Sequence, residues 1–358
     1  MIQPTPPRQQ AALNDANASA FPEREPSATQ TCPLEKGIIC GVFFDGTGNN
    51  RYDSSLAETN VSRLYVVYKK FTDDRYVRDK LYIIGPGAAS GDEETEGGAD
   101  TVPEGGFWHN IGGKASGNGG RERLNIAYRW LKAKFAEHTP TEHKMVDTYG
   151  FSRGASLART FVNLTNQALK QEIENINSRF LGVFDTVGSW GKSEAPFEND
   201  GLDSGDTLNW AHFTARHEHR EHFPLTRLPG ADKEYAGVHS DVGGGYADER
   251  PRVRNHLAFV TCNHMYLRSI QSNVDMDEPP KNGVNIDLLY RQSEEYCAPA
   301  IYDPNGPWAV RRRVWFETYV HDSTGWMPWN WSTDDKVRVV LTHRKKRIGA
   351  LPPNFTWT

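Results

Sequence analysis

Residues 150–154 read Gly-Phe-Ser-Arg-Gly, between a strand-like run at 144–149 (KMVDTY) and a helix-like run at 155–162 (ASLARTFV). A G-x-S-x-G sequence between a strand and a helix is the nucleophile elbow of α/β-hydrolases, in which a tight turn presents the serine hydroxyl above a helix N-terminus. The helix dipole and the N–H groups there favour the negative charge that develops during acyl transfer. We therefore predict that Ser152 is the nucleophile of a serine hydrolase. The alternative is a glycine-bracketed turn whose serine only caps a helix.

Segments typical of strands and of helices alternate along the chain. The first predicted strand, at 37–44 (GIICGVFF), is apolar throughout, as expected for a strand buried on both faces. Further strands are predicted at 81–84, 144–149, 179–184, 234–238 and 314–320, and helices at 60–71, 122–137, 155–168 and 255–272. This alternation predicts an α/β fold of the α/β-hydrolase type, with a mostly parallel central sheet flanked by helices.

The chain divides by composition into a tail and one domain. Residues 1–35 are rich in Pro, Ala, Gln and Thr and predict a flexible N-terminal tail. Residues 36–358 are then a single α/β-hydrolase domain. Within it, the glycine-rich and acidic stretch at 85–120 is long for an irregular connection, which favours a functional loop or lid.

Composition excludes several function classes. A net charge of -5 argues against general nucleic-acid binding. No apolar run approaches the roughly 20 residues that span a bilayer, and residues 1–25 lack the pattern of a secretory signal peptide. The four cysteines show no C-x-x-C spacing, so no zinc site is expected. The glycines at 243–245 lack the phosphate-loop pattern, and we predict neither a metal nor a cofactor.

Candidate catalytic residues follow several of the predicted strands. In open α/β sheets, ligands bind at the carboxyl ends of the strands, and a serine nucleophile needs a histidine base that is oriented by a carboxylate. The order serine, acid, histidine along the chain is satisfied by Ser152, Asp241 and His321. Asp185 is the competing acid and His239 the competing base, so these alternatives stay open.

Backbone N–H groups are the expected oxyanion donors. The residue after the nucleophile, Arg153, supplies one such group in this fold. The loop that contains Gly46 and Thr47 follows the first strand and is placed to supply another. The alternative for this loop is a plain glycine turn.

Four motifs occur in order: FFDGTGN at 43–49, GFSRGA at 150–155, GVFDTVG at 182–188 and GVHSDVGGGY at 237–246. Together they resemble the α/β-hydrolase domain of the type VI secretion phospholipase effectors of the first lipase-effector family. The resemblance spans residues 37–250, and VHDS at 320–323 extends it.

The resemblance implies a phospholipase that hydrolyses ester bonds of membrane glycerophospholipids by Ser-His-Asp chemistry. It also implies a cytoplasmic protein that leaves the producing cell without a signal peptide and reaches the periplasm of a target cell. A secretion spike or adaptor protein and a cognate immunity protein are the implied partners. The competing hypotheses are a carboxylesterase or peptidase for soluble substrates, and a non-catalytic interaction protein on a hydrolase fold.

Overall fold

The computed structural model describes residues 37–88, 118–138, 142–188, 207–220, 223–228, 230–247, 254–298, 307–321 and 340–341. The chain divides into two units at Glu35, and every described residue belongs to the second unit. The predicted tail at 1–35 and most of the predicted lid at 85–120 lie outside the described residues.

A six-stranded sheet organises the described part of the chain, and all of its neighbouring strands are parallel. The strands are β1 (Gly37–Phe44), β2 (Tyr76–Ile83), β3 (His143–Phe151), β4 (Ile176–Phe184), β5 (Thr207–Ala215), β6 (Leu225–Thr226), β7 (Asp232–Tyr235) and β8 (Val340–Leu341). The order of strands in the sheet is β2-β1-β3-β4-β5-β7. A further pair, β6 with β8, is also parallel.

Helices cover both faces of the sheet. The helix Arg153–Leu164 continues through a π-helical segment, Thr165–Leu169, and a short turn, Lys170–Glu172. None of the helices within the described ranges is both long enough and apolar enough to cross a membrane. The helices are α1 (Asn60–Val67), α2 (Asn118–Ala136), α3 (Arg153–Leu164), α4 (His239–Gly243), α5 (His256–Gln271), α6 (Ile286–Cys297) and α7 (Pro307–Tyr319).

The core has a layer on each side of the sheet. On one side, α2 and α3 pack on alternate apolar residues of the strands, including Val42 and Val146. On the other side, Tyr65 of α1 packs edge-on against Phe43 of β1, whose ring stacks on Tyr149 of β3 at 4.7 Å. Because β1 is covered from both sides, all eight of its residues are buried. This arrangement confirms the predicted α/β class with a parallel sheet.

Several elements differ from the sequence prediction. Residues 314–320 were predicted as a strand, which is wrong, because 307–319 form the helix α7. Its buried residue Trp315 belongs to a helical stripe of aromatic residues, whereas Val310 and Val314 one turn apart face outward. The strand β5 and the helix α6 were not predicted, since the β5 sequence (TLNWAHFTA) mixes polar and apolar residues without clear alternation.

Candidate active site

Ser152 lies in a strained turn between β3 and α3. Its backbone has φ 59° and ψ -126°, a left-handed conformation that non-glycine residues rarely adopt and that is typical of functional sites. The turn is held on both sides, because the Ser152 N–H donates to the Phe184 carbonyl at 3.1 Å and the Val187 N–H donates to the Ser152 carbonyl at 3.2 Å. Ser152 therefore sits beside the end of β4.

The two glycines of the motif are required by close backbone approach. A Cβ atom at Gly150 would lie 2.5 Å from the Gly154 carbonyl oxygen. A Cβ atom at Gly154 would lie 2.2 Å from the carbonyl oxygen of Asp45, in the loop after β1. The elbow can thus form only where both positions lack a side chain, and it packs directly against the β1 loop.

Asp185 follows β4 and is bound to His239. The Asp185 backbone is also left-handed (φ 39°), and its N–H donates to the Phe213 carbonyl at 2.7 Å. Its Oδ1 accepts the Ala215 N–H at 2.8 Å, and its Oδ2 lies 2.6 Å from Nδ1 of His239. A carboxylate at this position selects the tautomer with the proton on Nδ1, so that Nε2 carries the lone pair.

His239 begins α4, shortly after β7, the last strand of the main sheet. Its ring centroid lies 4.6 Å from that of Phe151, the residue before Ser152, so the imidazole is beside the elbow. Burial lowers the pKa of His239, and the Asp185 carboxylate opposes this effect only in part. The imidazole is therefore neutral at neutral pH, which is the form that a general base requires.

A second Asp–His pair joins Asp241 to His321. Oδ1 of Asp241 is hydrogen-bonded to Nδ1 of His321, and Oδ2 accepts the N–H groups of His321 and Val238, each at 3.0 Å. Tyr246 stacks on the His321 ring with centroids 4.1 Å apart. Asp241 thus caps α4, the helix that carries His239, and His321 follows a helix rather than the predicted last strand.

Glu218 and Arg220 form an ion pair next to His239, and the sequence analysis did not predict a role for them. Oε2 of Glu218 accepts the His239 N–H at 3.2 Å and lies 2.9 Å from Nη2 of Arg220. The Arg220 guanidinium lies 3.6 Å from the ring centroid of Phe223, which packs edge-on against His239 at 4.9 Å. Burial alone would raise the pKa of Glu218, but the hydrogen bonds and charge of Arg220 hold it at about 2.

The loop after β1 lies against the elbow. Nη1 of Arg153 donates to Oγ1 of Thr47 at 3.3 Å. The Gly46 N–H donates to Oδ1 of Asp45 at 2.7 Å, so this N–H is already used within the loop. The Thr47 N–H makes no hydrogen bond with any residue that the structure describes. Of the two loop positions predicted as oxyanion donors, Thr47 is the one whose N–H is not committed to a neighbour.

Asp45 braces this loop. In addition to the Gly46 N–H, its carboxylate accepts the hydroxyl of Thr59 at 2.9 Å and the hydroxyl of Tyr82. Burial raises the pKa of Asp45 to about 6, although these hydrogen bonds act in the opposite direction. Across the described ranges, His, Cys, Asp and Glu side chains form no group of three or more that could hold a metal ion.

A strained serine elbow and a buried Asp–His pair at one edge of a parallel sheet define an α/β-hydrolase-like fold. A family model described as the catalytic domain of Tle1-like phospholipase effectors of type VI secretion matches residues 36–172 and 165–268. The chain belongs to this family.

Two solved structures are similar to this chain. An uncharacterised protein from Pseudomonas aeruginosa is 19% identical, with a TM-score of 0.55 over 86% of this chain and 54% of that protein, which supports the fold alone. This chain thus spans about half the length of that protein. The structure of the Tle1 effector bound to the VgrG spike is 16% identical, with a TM-score of 0.47 over 81% of this chain and 85% of that one. No curated protein matches the chain.

Proposed function

We propose that this protein is a serine ester hydrolase with Ser152 as nucleophile, His239 as general base and Asp185 as the carboxylate that orients the base. The observation that carries this proposal is the 2.6 Å contact between Asp185 and His239 beside the strained Ser152 turn. The competing pair is Asp241 with His321, because Asp241 is hydrogen-bonded to Nδ1 of His321, and Nε2 of that ring is buried with no hydrogen-bond partner among the described residues. Asp241 also caps the helix on which His239 lies.

The reaction is acyl transfer in two steps. Nε2 of His239 takes the Ser152 hydroxyl proton as Oγ attacks the ester carbonyl, and the proton then passes to the departing alcohol oxygen. The N–H groups of Arg153 and Thr47 stabilise the tetrahedral oxyanion. In the second step, His239 takes a proton from water as the water oxygen attacks the acyl-enzyme carbonyl. His239 then returns this proton to Oγ of Ser152 as the bond to the serine breaks and the carboxylic acid leaves.

The substrates we propose are the glycerophospholipids of a target-cell membrane, with the protein acting as an antibacterial effector. Membership of the phospholipase effector family supports this substrate class and type VI export from the cytoplasm of the producer into the target periplasm. A secretion spike is the expected carrier, by analogy with the Tle1 effector whose structure contains the VgrG spike. A cognate immunity protein in the producer completes the proposal.

The test combines active-site labelling with lipid analysis. A fluorophosphonate probe should label the wild-type protein and not Ser152→Ala, because only an activated serine reacts. Mass spectrometry of mixed phospholipids should detect free fatty acid and lysophospholipid with the wild type only. Turnover of short-chain esters without phospholipid cleavage would favour a soluble-substrate carboxylesterase instead. Absence of labelling would favour a non-catalytic interaction protein.

A further inference from the structure

The α7 helix is anchored by one face and leaves a second apolar face outside. Trp315 is 4% exposed and packs against Tyr296 of α6, with ring centroids 5.8 Å apart. Phe316 packs edge-on against His217 at 5.2 Å. These contacts fix which face of α7 points toward the rest of the domain.

The outward face combines valines with arginines. Val310 and Val314 are 57% and 55% exposed and lie one turn apart. At about 100° per residue, Arg311 and Arg313 lie on either side of this valine pair, each about 80° from its midline. Both arginines are exposed and form no salt bridge with any residue in the described ranges. Glu317 is the single acidic residue in the α7 sequence.

The α7 helix lies at the sheet edge that carries the candidate catalytic residues. His217, which contacts Phe316, follows β5 and accepts the N–H of Gly237 just after β7. Directly after α7, His321 binds Asp241, two residues from His239. The α7 helix is therefore held close to the carboxyl ends of β5 and β7, where His239 contacts Asp185 at the end of β4.

We propose that this α7 face, formed by Val310, Val314, Arg311 and Arg313, docks the protein on the surface of an anionic glycerophospholipid bilayer. The proposal rests on the proposed phospholipase function and names how that site reaches its substrate. Exposed apolar side chains flanked by arginines match the boundary between acyl chains and anionic phosphates. The net charge of -5 on the whole chain gives no general attraction to anionic lipid, so the proposal relies on the local positive charge of Arg311 and Arg313.

The experiment measures flotation of the full chain carrying Ser152→Ala with vesicles of phosphatidylglycerol and phosphatidylethanolamine, so that the lipid stays intact. Replacing Arg311 and Arg313 together by glutamine should lower the bound fraction at limiting lipid about tenfold or more. Replacing Val310 and Val314 together by serine should cause a loss of similar size. Vesicles of neutral phosphatidylcholine should bind the parent chain weakly.

Matched control variants remove side chains of the same kinds, charged or apolar, elsewhere on the surface. Arg75→Gln with Arg129→Gln removes two exposed charges, and Val66→Ser with Ile270→Ser removes exposed apolar groups that are 48% and 39% accessible. These variants should float like the parent chain. Equal losses in the controls and in the α7 variants would overturn the proposal.

Turnover of a soluble short-chain ester separates docking from chemistry. With Ser152 present, the α7 variants should hydrolyse such an ester at the wild-type rate while losing activity on vesicles. Absence of any ester turnover by the wild type would reject the proposed function but leave the flotation result intact. Normal flotation of the α7 variants would reject the docking proposal. That holds also if these variants lose binding to a protein partner, because the face would then be a protein interface.

Discussion

Oδ2 of Asp185 lies 2.6 Å from Nδ1 of His239, and the two residues are 54 positions apart in the chain. They meet because β4 and β7 both end at the edge of the sheet where the Ser152 elbow stands. The competing residues Asp241 and His321 bind each other instead. The site thus contains two complete Asp–His pairs with different surroundings.

Substitution of one histidine at a time should separate the two pairs. His239→Ala should lower kcat/KM for a soluble ester by about a thousandfold or more, because it removes the general base. His321→Asn should lower it by less than about tenfold and reduce the melting temperature, since α4 would lose part of its support. A larger catalytic loss at His321 than at His239 would assign the triad to Ser152, Asp241 and His321.

The acid limb of the pH–rate profile should have its midpoint below pH 6.5. Burial lowers the pKa of His239 below the ordinary value of 6.5, so the imidazole stays neutral and competent as a base when the pH falls through 6.5. Activity should therefore decline only at a more acidic pH. The measurement is kcat/KM for a soluble ester between pH 4 and pH 8. A midpoint at or above 6.5 would contradict this assignment.

Arg220 should influence that midpoint. The positive charge of Arg220 lowers the pKa of His239, and the carboxylate of Glu218 raises it. Arg220→Gln removes the positive charge that lowers the pKa of His239, so the acid limb should move to higher pH. Phe223→Leu removes the neighbouring ring without changing charge and serves as the control. An unshifted limb in Arg220→Gln would show that the ion pair has only a packing role.

Two further buried histidines should make the fold sensitive to acid. Burial lowers the pKa of His217 to about 3 and that of His264 to about 4. Below pH 6.5 these histidines bind protons in the unfolded chain but stay unprotonated in the folded state. The free energy of unfolding should therefore fall as the pH drops from 6.5 toward 4. Asp45, with a folded pKa of about 6, acts in the opposite direction.

Urea unfolding of His264→Gln at pH 7 and pH 5 tests this linkage. The variant should lose less stability than the wild type between the two pH values, because one of the buried histidines no longer titrates. His143→Gln, at a more accessible position, is the matched control for replacing a histidine by glutamine elsewhere in the chain. An unchanged pH dependence in His264→Gln would remove that histidine from the explanation.

Gly154→Ala should disable the elbow. The new methyl group would lie 2.2 Å from the Asp45 carbonyl oxygen and 2.4 Å from that of Phe44, and neither backbone group can move independently of β1. We expect a loss of about 1–3 kcal/mol in the free energy of unfolding, together with loss of fluorophosphonate labelling. Wild-type labelling in a stable Gly154→Ala variant would show that the β1 loop tolerates displacement.

Much of the fold is readable without coordinates. The run at 37–44 coincides with β1, because a strand covered on both sides is apolar at nearly every position. The elbow was predicted from two glycines, whose absence of a Cβ atom is a local requirement of the turn. By contrast, 314–320 contains aromatic and β-branched residues that favour a strand, yet packing of Trp315 against Tyr296 places this segment in a helix.

Local chemistry in the sequence thus determined the α/β class, the position of Ser152 and the short set of acids and histidines that compete to serve it. Only the tertiary structure decided the pairing, Asp185 with His239 and Asp241 with His321. The physical reason is that hydrogen bonds between residues 54 and 80 positions apart depend on the order of strands in the sheet and on a helix that follows it. Neither the strand order nor the position of that helix can be read from the spacing of residues along the chain.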